Sequence, residues 1–290
     1  MNSNSNRYFT MKDCTEVYAW VDGQDNDKSV VLIHGWGLSH LMWESQISYL
    51  TKQGYCVVAI DLRGFGNSGD SKTDYSYQTW ANDIREVIAQ LGLKDVTLVG
   101  FSIGGATAMC YVGKNVGPAV DRLTLVAATG PNMLQSSNNP DGLALWELQG
   151  AITVFENIPF GTRSIDDWFR KQAFDKFLEV VFGIKQPKAK TPLYDRLYEM
   201  FKSASKEAVI GGLKEMRDRD LTEALSHIRV DTMILHGKSD IFVRPDLAKK
   251  QEQRLTGAPK KTLKWYDYTG HEIVFVRGDH INKELDAFAR

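Results

Sequence analysis

The sequence predicts an α/β fold: a mostly parallel, doubly wound sheet with an inserted helical cap. Short apolar runs alternate with amphipathic stretches along the first part of the chain. This alternation stops near Gly130-Pro131 and resumes near residue 232. We therefore expect a core formed by residues 1–130 and 226–290, with a helical cap inserted at residues 131–225.

Hydrophobic periodicity predicts the individual elements in chain order. Strands are expected at residues 16–21, 29–33, 55–60, 96–99, 122–127, 232–235 and 262–266. The run at 55–60 is continuously apolar, as in a strand whose two faces are both covered. Helices of the core are expected at 41–50, 77–91, 103–112, 245–255 and 281–288. The cap is expected to contribute helices at 143–154, 165–182, 193–202 and 206–217, and residues 1–6 a frayed tail.

Composition and charge favour a soluble globular protein in the cytoplasm. The 290 residues are 43% hydrophobic, and 35 Lys and Arg residues against 36 Asp and Glu residues leave a net charge of −1. This balance provides no electrostatic footprint for nucleic acid or an anionic membrane. There is no signal-peptide pattern and no apolar run of about 18 residues. Cys14, Cys56 and Cys110 form neither a disulfide framework nor a metal cluster, and the last two are expected to be buried thiols.

The segment Gly100-Phe101-Ser102-Ile103-Gly104 has the G-x-S-x-G pattern of a nucleophile elbow. It follows a predicted strand and opens a predicted helix. A turn this tight requires Gly100 and Gly104, because side chains there would collide with neighbouring backbone. Ser102 is thereby expected above the carboxyl ends of the strands, at the positive end of the helix.

A serine nucleophile needs a base and a third group that orients the base. His271 follows the predicted strand at 262–266, and Asp240 follows the one at 232–235. The order Ser102, Asp240, His271 is the one associated with this elbow. Asp240 could instead cap a turn before Pro245. Asp267 is a rival acid, but it precedes His271 by few residues and is expected to be structural.

The segment His34-Gly35-Trp36-Gly37 follows the strand at 29–33 and is expected to form the oxyanion loop. Its glycines let it turn a backbone N–H toward the elbow, so the N–H groups of Trp36 and Ile103 are the expected oxyanion donors. His34 is expected to form a hydrogen bond within the loop. The other histidines, with no metal-site spacing, are expected to be packed or solvated: His40, His227, His236 and His280.

Two further segments have a structural interpretation. The loop 61–69 is glycine-rich but lacks the lysine of a phosphate loop and the acid of a dinucleotide site, so it is expected to be structural, with Arg63 paired to a buried acid. The insertion is rich in aromatics that are expected to form its own core, with a few facing Ser102: Trp146, Phe155, Phe160, Trp168, Phe169, Phe174, Phe177 and Phe182.

From about residue 16 onward the chain resembles the α/β-hydrolase fold superfamily. The resemblance rests on residues 34–37 (HGWG), 61–68 (DLRGFGNS), 100–105 (GFSIGG), 237–240 (GKSD) and 270–271 (GH). The HGW and GFSxGG motifs are similar to those of microbial carboxylesterases, including arylesterases and cofactor-free haloperoxidases. The resemblance implies a triad of Ser102, Asp240 and His271, an oxyanion hole of Trp36 and Ile103, and no cofactor or metal.

Motif differences between this chain and related branches of the superfamily narrow the class of enzyme. Epoxide hydrolases and haloalkane dehalogenases use an aspartate nucleophile where this chain has Ser102, and many of the former carry a proline where it has Gly37. Carbon–carbon bond hydrolases usually read G-N-S, whereas Phe101 precedes Ser102 here. The insertion is longer than in small arylesterases, which leaves the substrate size open.

The sequence therefore predicts a serine carboxylester hydrolase that acts on small to medium apolar esters through an acyl-enzyme. A small-molecule ester is the expected partner, with no nucleic acid and no membrane. A lactonase, a perhydrolase or a carbon–carbon hydrolase could use the same atoms. A slow-turnover ligand sensor is the alternative outside the enzyme class.

Overall fold

The fold is built on an eight-stranded sheet with the order β1-β2-β4-β3-β5-β6-β7-β8. The strands are β1 (Asn6–Thr10), β2 (Glu16–Asp22), β3 (Ser29–Ile33), β4 (Cys56–Ile60), β5 (Val96–Phe101), β6 (Arg122–Val126), β7 (Asp231–Gly237) and β8 (Lys261–Tyr266). The computed structural model describes residues 5–24, 26–114, 117, 119–134, 145–157, 165–184 and 191–290. In the first two helices between β6 and β7, side chains are described only from residues 149 and 171 onward. β2 pairs antiparallel with both β1 and β4, and the other neighbouring strands pair parallel.

Helices flank the sheet and fill the interval between β6 and β7. Those of the core are α1 (Glu44–Lys52), α2 (Tyr77–Leu91), α3 (Ile103–Gly113), α9 (Pro245–Arg254), α10 (Ile273–Val276) and α11 (Gly278–Ala289). Between β6 and β7 the described residues form α4 (Leu145–Asn157), α5 (Ile165–Phe182), α6 (Pro192–Ser203), α7 (Lys206–Asp218) and α8 (Thr222–Ser226). α1 packs on α11, whereas α2, α3, α8 and α9 form a contiguous second layer.

The central strands are buried on both faces. Every residue of β3, β4 and β5 is buried, because helices cover the sheet from both sides. β3 lies between β4 and β5, so the chain leaves β3 toward one edge of the sheet and continues from β5 toward the other. In open α/β sheets, ligands bind beyond the carboxyl ends of the strands at such a switch point.

The predicted fold class is confirmed, since the sheet is mostly parallel and doubly wound. Several details differ from the prediction. β1 was not predicted, and Asn6 belongs to this strand rather than to a frayed tail, because the hairpin with β2 supplies its hydrogen-bond partners. The other residues of the predicted tail are 1–4, which lie outside the described residues, and Ser5, whose carbonyl accepts from Val21.

The helix expected at 41–50 is divided into two parts. A 3₁₀ turn covers His40–Trp43, and α1 begins only at Glu44. The short helices α8 and α10 were also missed, because four or five residues are too few to establish a helical period. Cys56 and Cys110 are buried thiols, as expected, and Cys14 is exposed.

Candidate active site

Ser102 occupies a strained turn between β5 and α3. Its backbone has φ 54° and ψ −120°, a region that L-residues rarely adopt outside tight functional turns. The turn is held from both sides: the Ser102 N–H donates to the Val126 carbonyl, and the Ser102 carbonyl accepts from Thr129. The elbow is thus fixed by β6 and the loop that follows it, and α3 begins at the next residue.

The glycines of the elbow have the predicted steric role. A Cβ on Gly100 would lie 2.3 Å from the carbonyl oxygen of Gly104. A Cβ on Gly104 would lie 2.4 Å from the carbonyl oxygen of His34. Because real Cβ atoms do not approach so closely, both positions require glycine, and the expectation that side chains would collide here is confirmed.

The structure brings Ser102, His271 and Asp240 together in one hydrogen-bonded chain. His271 Nε2 lies 3.0 Å from Ser102 Oγ, and His271 Nδ1 lies 2.8 Å from Asp240 Oδ2. The tautomer with its proton on Nδ1 donates to Asp240 and leaves Nε2 free to accept from the Ser102 hydroxyl. All three residues are at most 2% exposed. His271 and Asp240 are therefore shielded from bulk water, which strengthens the electrostatic interaction between them.

Asp240 also holds its own loop. Its Oδ1 accepts hydrogen bonds from the N–H groups of Phe242 (3.0 Å) and Val243 (2.8 Å). The sequence left a turn-capping role and an acid role as alternatives for Asp240. The geometry is compatible with both, because Oδ1 caps the turn and Oδ2 faces His271 Nδ1. Further bonds tie this loop to the one that carries His271: Ser239 N–H donates to the Thr269 carbonyl and Lys238 N–H to the Tyr266 carbonyl, both at 2.9 Å.

The rival acid Asp267 lies outside this cluster. Its carboxylate is 66% exposed and forms an ion pair with Lys238 at 2.7 Å. Its backbone carbonyl accepts from Arg277 and Thr269. The side chain therefore has a surface partner, and no hydrogen bond joins it to His271 among the described residues.

The predicted oxyanion donors are the N–H groups of Trp36 and Ile103. Trp36 follows β3, and Ile103 is the first residue of α3, so its N–H has no acceptor within the helix. Neither N–H donates to an acceptor in the described part of the chain. The positive end of α3 adds to the potential beside Ser102. Gly35, the residue before Trp36, packs against the elbow, since a Cβ there would lie 3.3 Å from Ser102 Cβ. Unpaired N–H donors are the groups that stabilise an oxyanion when one develops next to them.

The remaining histidines have structural surroundings. His34 donates from Nδ1 to the Gly35 carbonyl at 2.7 Å, as expected, and accepts at Nε2 from Leu62 N–H at 3.0 Å. Burial lowers the pKa of His34, which fits this neutral pattern. His40 is buried against Asp61, and His236 is buried beside Asp240, whereas His227 and His280 are exposed.

The glycine-rich loop after β4 is structural. The guanidinium of Arg63 makes two hydrogen bonds to the buried carboxylate of Asp83, at 2.6 and 2.7 Å, and one to Asp13 at 2.6 Å. Arg63 is only 3% exposed. The expectation that it pairs with a buried acid is confirmed.

Aromatic rings surround His271 and the predicted oxyanion loop at residues 34–37. The rings of Phe101, Phe242 and Phe182 have centroids 4.9, 5.3 and 6.0 Å from that of His271. Only Phe182, at the end of α5, comes from the predicted aromatic set of the insertion. No local pattern could single it out, because its position depends on how α5 lies over the sheet.

Other members of that set pack on the oxyanion loop. Phe155 and Phe177 contact the Trp36 indole at 5.5 and 5.4 Å, and Phe174 contacts Phe177 at 6.0 Å. The remaining predicted aromatics fall outside the residues whose side chains are described: Trp146, Phe160, Trp168 and Phe169.

A groove of ≈ 830 Å³ lies between α1, α6 and the α10–α11 segment. Phe275 lines it and also meets Phe182 edge-to-face at 6.1 Å. Two phenylalanine rings, those of Phe275 and Phe182, thus lie in sequence between the groove lining and His271.

Over the residues with assigned positions, no group of three or more His, Cys, Asp or Glu side chains could hold a metal ion. Nor is any described helix long and apolar enough to cross a membrane.

The sheet, the strained elbow and the hydrogen-bonded Ser–His–Asp chain together define an α/β hydrolase. A profile of the alpha/beta hydrolase fold family matches residues 28–277, so the chain belongs to this family and is a hydrolytic enzyme. It is 30% identical to a bifunctional esterase/perhydrolase of Acinetobacter calcoaceticus, over 98% of this chain and 99% of the relative. It is also 30% identical to a non-heme haloperoxidase of Rhodococcus erythropolis, over 97% and 98% of the two chains.

A solved esterase from Exiguobacterium antarcticum has a similar structure. It is 30% identical to this chain and superimposes with a TM-score of 0.85, over 97% of this chain and 98% of the esterase. The similarity extends over almost the whole length of both chains, so it includes the interval between β6 and β7 as well as the sheet.

Proposed function

We propose that the protein is a serine carboxylester hydrolase that acts on small to medium apolar esters. The observation that carries the proposal is the hydrogen-bonded chain from Ser102 through His271 to Asp240. The similarity to an esterase and to a bifunctional esterase/perhydrolase supports it. The aromatic rings around His271 and Trp36 favour apolar groups on the substrate.

In the proposed mechanism Ser102 Oγ attacks the ester carbonyl while His271 Nε2 takes the hydroxyl proton. Asp240 holds the imidazole and stabilises its charged form. The N–H groups of Trp36 and Ile103 bind the oxyanion of the tetrahedral intermediate. His271 then protonates the departing alkoxide, and an acyl group remains on Ser102. His271 next takes a proton from water, whose oxygen attacks the acyl carbonyl. The imidazolium then gives that proton to Ser102 Oγ as the bond between the acyl carbon and Oγ breaks, which releases the acid and restores the enzyme.

We further propose that residues 131–225 act as the cap of this site. The support is that Phe155, Phe177 and Phe182 approach the oxyanion loop and His271 from this segment. In this division residues 1–130 and 226–290 form the catalytic core, and the segment between them covers it.

Perhydrolysis is a second candidate, because one relative is named for both activities. In that reaction hydrogen peroxide replaces water as the acyl acceptor, and the acyl-enzyme yields a peracid and free Ser102. Rates of peracid formation and ester hydrolysis measured on one preparation would compare the two activities.

The proposal is tested by replacing the nucleophile. Ser102→Ala should lower kcat on p-nitrophenyl esters by about 10⁶-fold, as loss of a triad serine does in proteases, while the fold is kept. Esters of rising acyl length, assayed beside several lactones, would define the substrate range.

Labelling with a fluorophosphonate provides a second test. The wild-type protein should gain the mass of one adduct, as Ser102 Oγ bonds to phosphorus and fluoride leaves, and Ser102→Ala should gain none.

The control is Ser48→Ala, which changes an exposed serine of α1. It should keep both the wild-type rate and the adduct. If folded Ser102→Ala retained more than a small fraction of the rate, the proposed nucleophile would be wrong. A wild type that is labelled but turns over no ester or lactone would favour a ligand sensor.

A further inference from the structure

A second buried histidine lies beside the proposed catalytic acid. His236, near the end of β7, is fully buried, and its ring meets Trp265 of β8 edge-on at 5.8 Å. Its Nε2 lies 2.8 Å from the carbonyl oxygen of Val243. A carbonyl oxygen can only accept, so Nε2 carries the proton. The mechanism proposed above makes no use of this residue.

The backbone of Val243 connects His236 to Asp240. The carbonyl oxygen of Val243 accepts a hydrogen bond from His236 Nε2–H, and the N–H of Val243 donates to Asp240 Oδ1 at 2.8 Å. With Oδ1 held in this way, Oδ2 remains for His271 Nδ1. A histidine on β7 thus anchors the loop that decides which way the carboxylate faces.

The surroundings of His236 favour the neutral ring. Its Nδ1 has no hydrogen-bond partner among the described residues, so a proton there would be buried without an acceptor. Burial lowers the pKa of His236, and the ionisable groups that act on it are Asp240, which opposes this effect, and His271, which adds to it. A charged His236 would also place a cation 3.7 Å from Asp240 Oδ2, in competition with His271.

We propose that His236 is a positioning residue for Asp240: as a neutral Nε2–H tautomer it holds the backbone of Val243 and thereby directs Asp240 Oδ2 to His271. This inference rests on the proposed triad. Loss of the bond should loosen the carboxylate, weaken the base and leave the contacts to substrate unchanged. The signature is a fall in kcat with little change in KM.

Two substitutions separate the hydrogen bond from the packing. His236→Phe keeps a ring against Trp265 but removes the donor, whereas His236→Gln offers an amide N–H toward the Val243 carbonyl. His236→Phe should lower kcat by at least about tenfold, but by less than the ~10⁴-fold that loss of the acid function causes in serine proteases. The acid limb of the kcat/KM–pH profile of His236→Phe should move to lower pH. A loosened Asp240 carboxylate stabilises the His271 imidazolium less, so His271 is protonated less readily. His236→Gln should recover most of the rate.

A double-mutant cycle tests whether His236 acts through Asp240. In an Asp240→Asn background, His236→Phe should cause little further loss, because the carboxylate on which it acts is already gone. An equal fold-loss in both backgrounds would mean a general structural role and would overturn the proposal. So would a His236→Gln variant that folds but is as slow as His236→Phe. His227→Gln, which changes an exposed histidine, is the matched control and should keep the wild-type rate.

Imidazole nitrogen NMR on the wild-type protein provides a readout that needs no turnover. The ring of His236 should remain the neutral Nε2–H tautomer between about pH 5 and 8, the range in which ordinary histidines change charge. A protonated ring or an Nδ1–H tautomer would overturn the inference, whether or not His236→Phe folds. If Asp240→Asn keeps full esterase activity, Asp240 is not the acid and the inference about His236 fails with it. If the wild type hydrolyses no ester, the proposed function fails instead, and the spectra still decide the state of His236.

Discussion

At the scale of single residues, the carboxyl group of Asp240 has two separate tasks. Oδ1 accepts two backbone N–H groups and Oδ2 faces His271 Nδ1. Two N–H donors fix Oδ1 in place, so the orientation of the carboxylate does not depend on His271. The loop is therefore preorganised before any substrate binds.

This division predicts the outcome of Asp240→Asn. The amide oxygen should stay on the two backbone donors, which turns the amide nitrogen toward His271 Nδ1. The imidazole must then accept at Nδ1 and carry its proton on Nε2, where it cannot take the proton of Ser102. In serine proteases the corresponding change lowers kcat by about 10⁴-fold, and we expect a loss on this scale at neutral pH in a normally folded protein.

Asp267→Asn is the matched control for this change. Its carboxylate is exposed and bound to Lys238, so we expect less than about a tenfold change in rate. The measurement is kcat for both variants on one ester, with circular dichroism to establish folding. A near-normal Asp240→Asn beside a crippled Asp267→Asn would transfer the acid role to Asp267.

At the scale of elements, α7 holds the oxyanion loop through the side chain of Trp36. The indole Nε1–H donates to the carbonyl of Val209 on α7 at 2.8 Å. One turn further along α7, a Cβ on Gly212 would lie 2.8 Å from Trp36 Cδ1. The indole is therefore bonded to one residue of α7 and packed directly on another. A shift of α7 should move the Trp36 backbone and with it the proposed oxyanion donor.

Gly212→Ala tests this link between α7 and the site. Alanine raises helix propensity by about 1 kcal/mol, so any loss of stability must come from the contact with Trp36. We expect overpacking to lower the free energy of unfolding by about 1–3 kcal/mol. We also expect kcat to fall, by no more than the ~10²-fold loss that follows removal of one oxyanion donor. Urea unfolding and ester kinetics on the same preparation would measure both effects.

Gly150→Ala is the matched control within the same segment. Gly150 lies inside α4, and a Cβ there would have nothing within 4 Å. This variant should keep the wild-type rate and be as stable as wild type or slightly more so. Equal behaviour of the two alanine variants would contradict a role of α7 in holding Trp36.

At the scale of the whole molecule, Arg63 connects three parts of the core. It follows β4 and reaches Asp83 on α2 and Asp13 in the turn between β1 and β2. Its guanidinium and the Asp83 carboxylate are almost fully buried, and they meet in a bidentate pair. Charges buried this deeply are stable only while both partners are present.

Removing one partner of this pair should therefore cost more than removing both. Arg63→Leu leaves the Asp83 charge without a partner, and we expect the free energy of unfolding to fall by about 3–5 kcal/mol. Arg63→Leu combined with Asp83→Leu should recover much of that loss. Urea unfolding followed by circular dichroism measures both. A double variant no more stable than Arg63→Leu alone would mean that Arg63 acts mainly through its other partners.

Local patterns in the sequence were sufficient for much of the fold. The predicted bounds of β3, α2 and α5 agree with the structure. β3 is an almost continuous apolar run, and α2 has a stripe of apolar residues at helical spacing. β1 was missed because Asn6–Thr10 buries only Phe9 among its five residues. Its strand conformation comes from pairing with β2, and this pairing leaves little trace in the hydrophobic pattern.

The sequence by itself determined the alternation of strands and helices, the elbow around Ser102 and the set of candidate residues at the ends of β3, β5, β7 and β8. These are local properties, since they depend on periodicity and on glycines at a tight turn. Only the tertiary structure decided that β3 lies between β4 and β5, that Asp240 rather than Asp267 reaches His271, and that α7 holds Trp36. The atoms concerned are far apart in the chain, with 169 positions separating His271 from Ser102 and 173 separating Trp36 from Val209. Their distances depend on how the sheet orders its strands and on how helices pack over it, which no local pattern encodes.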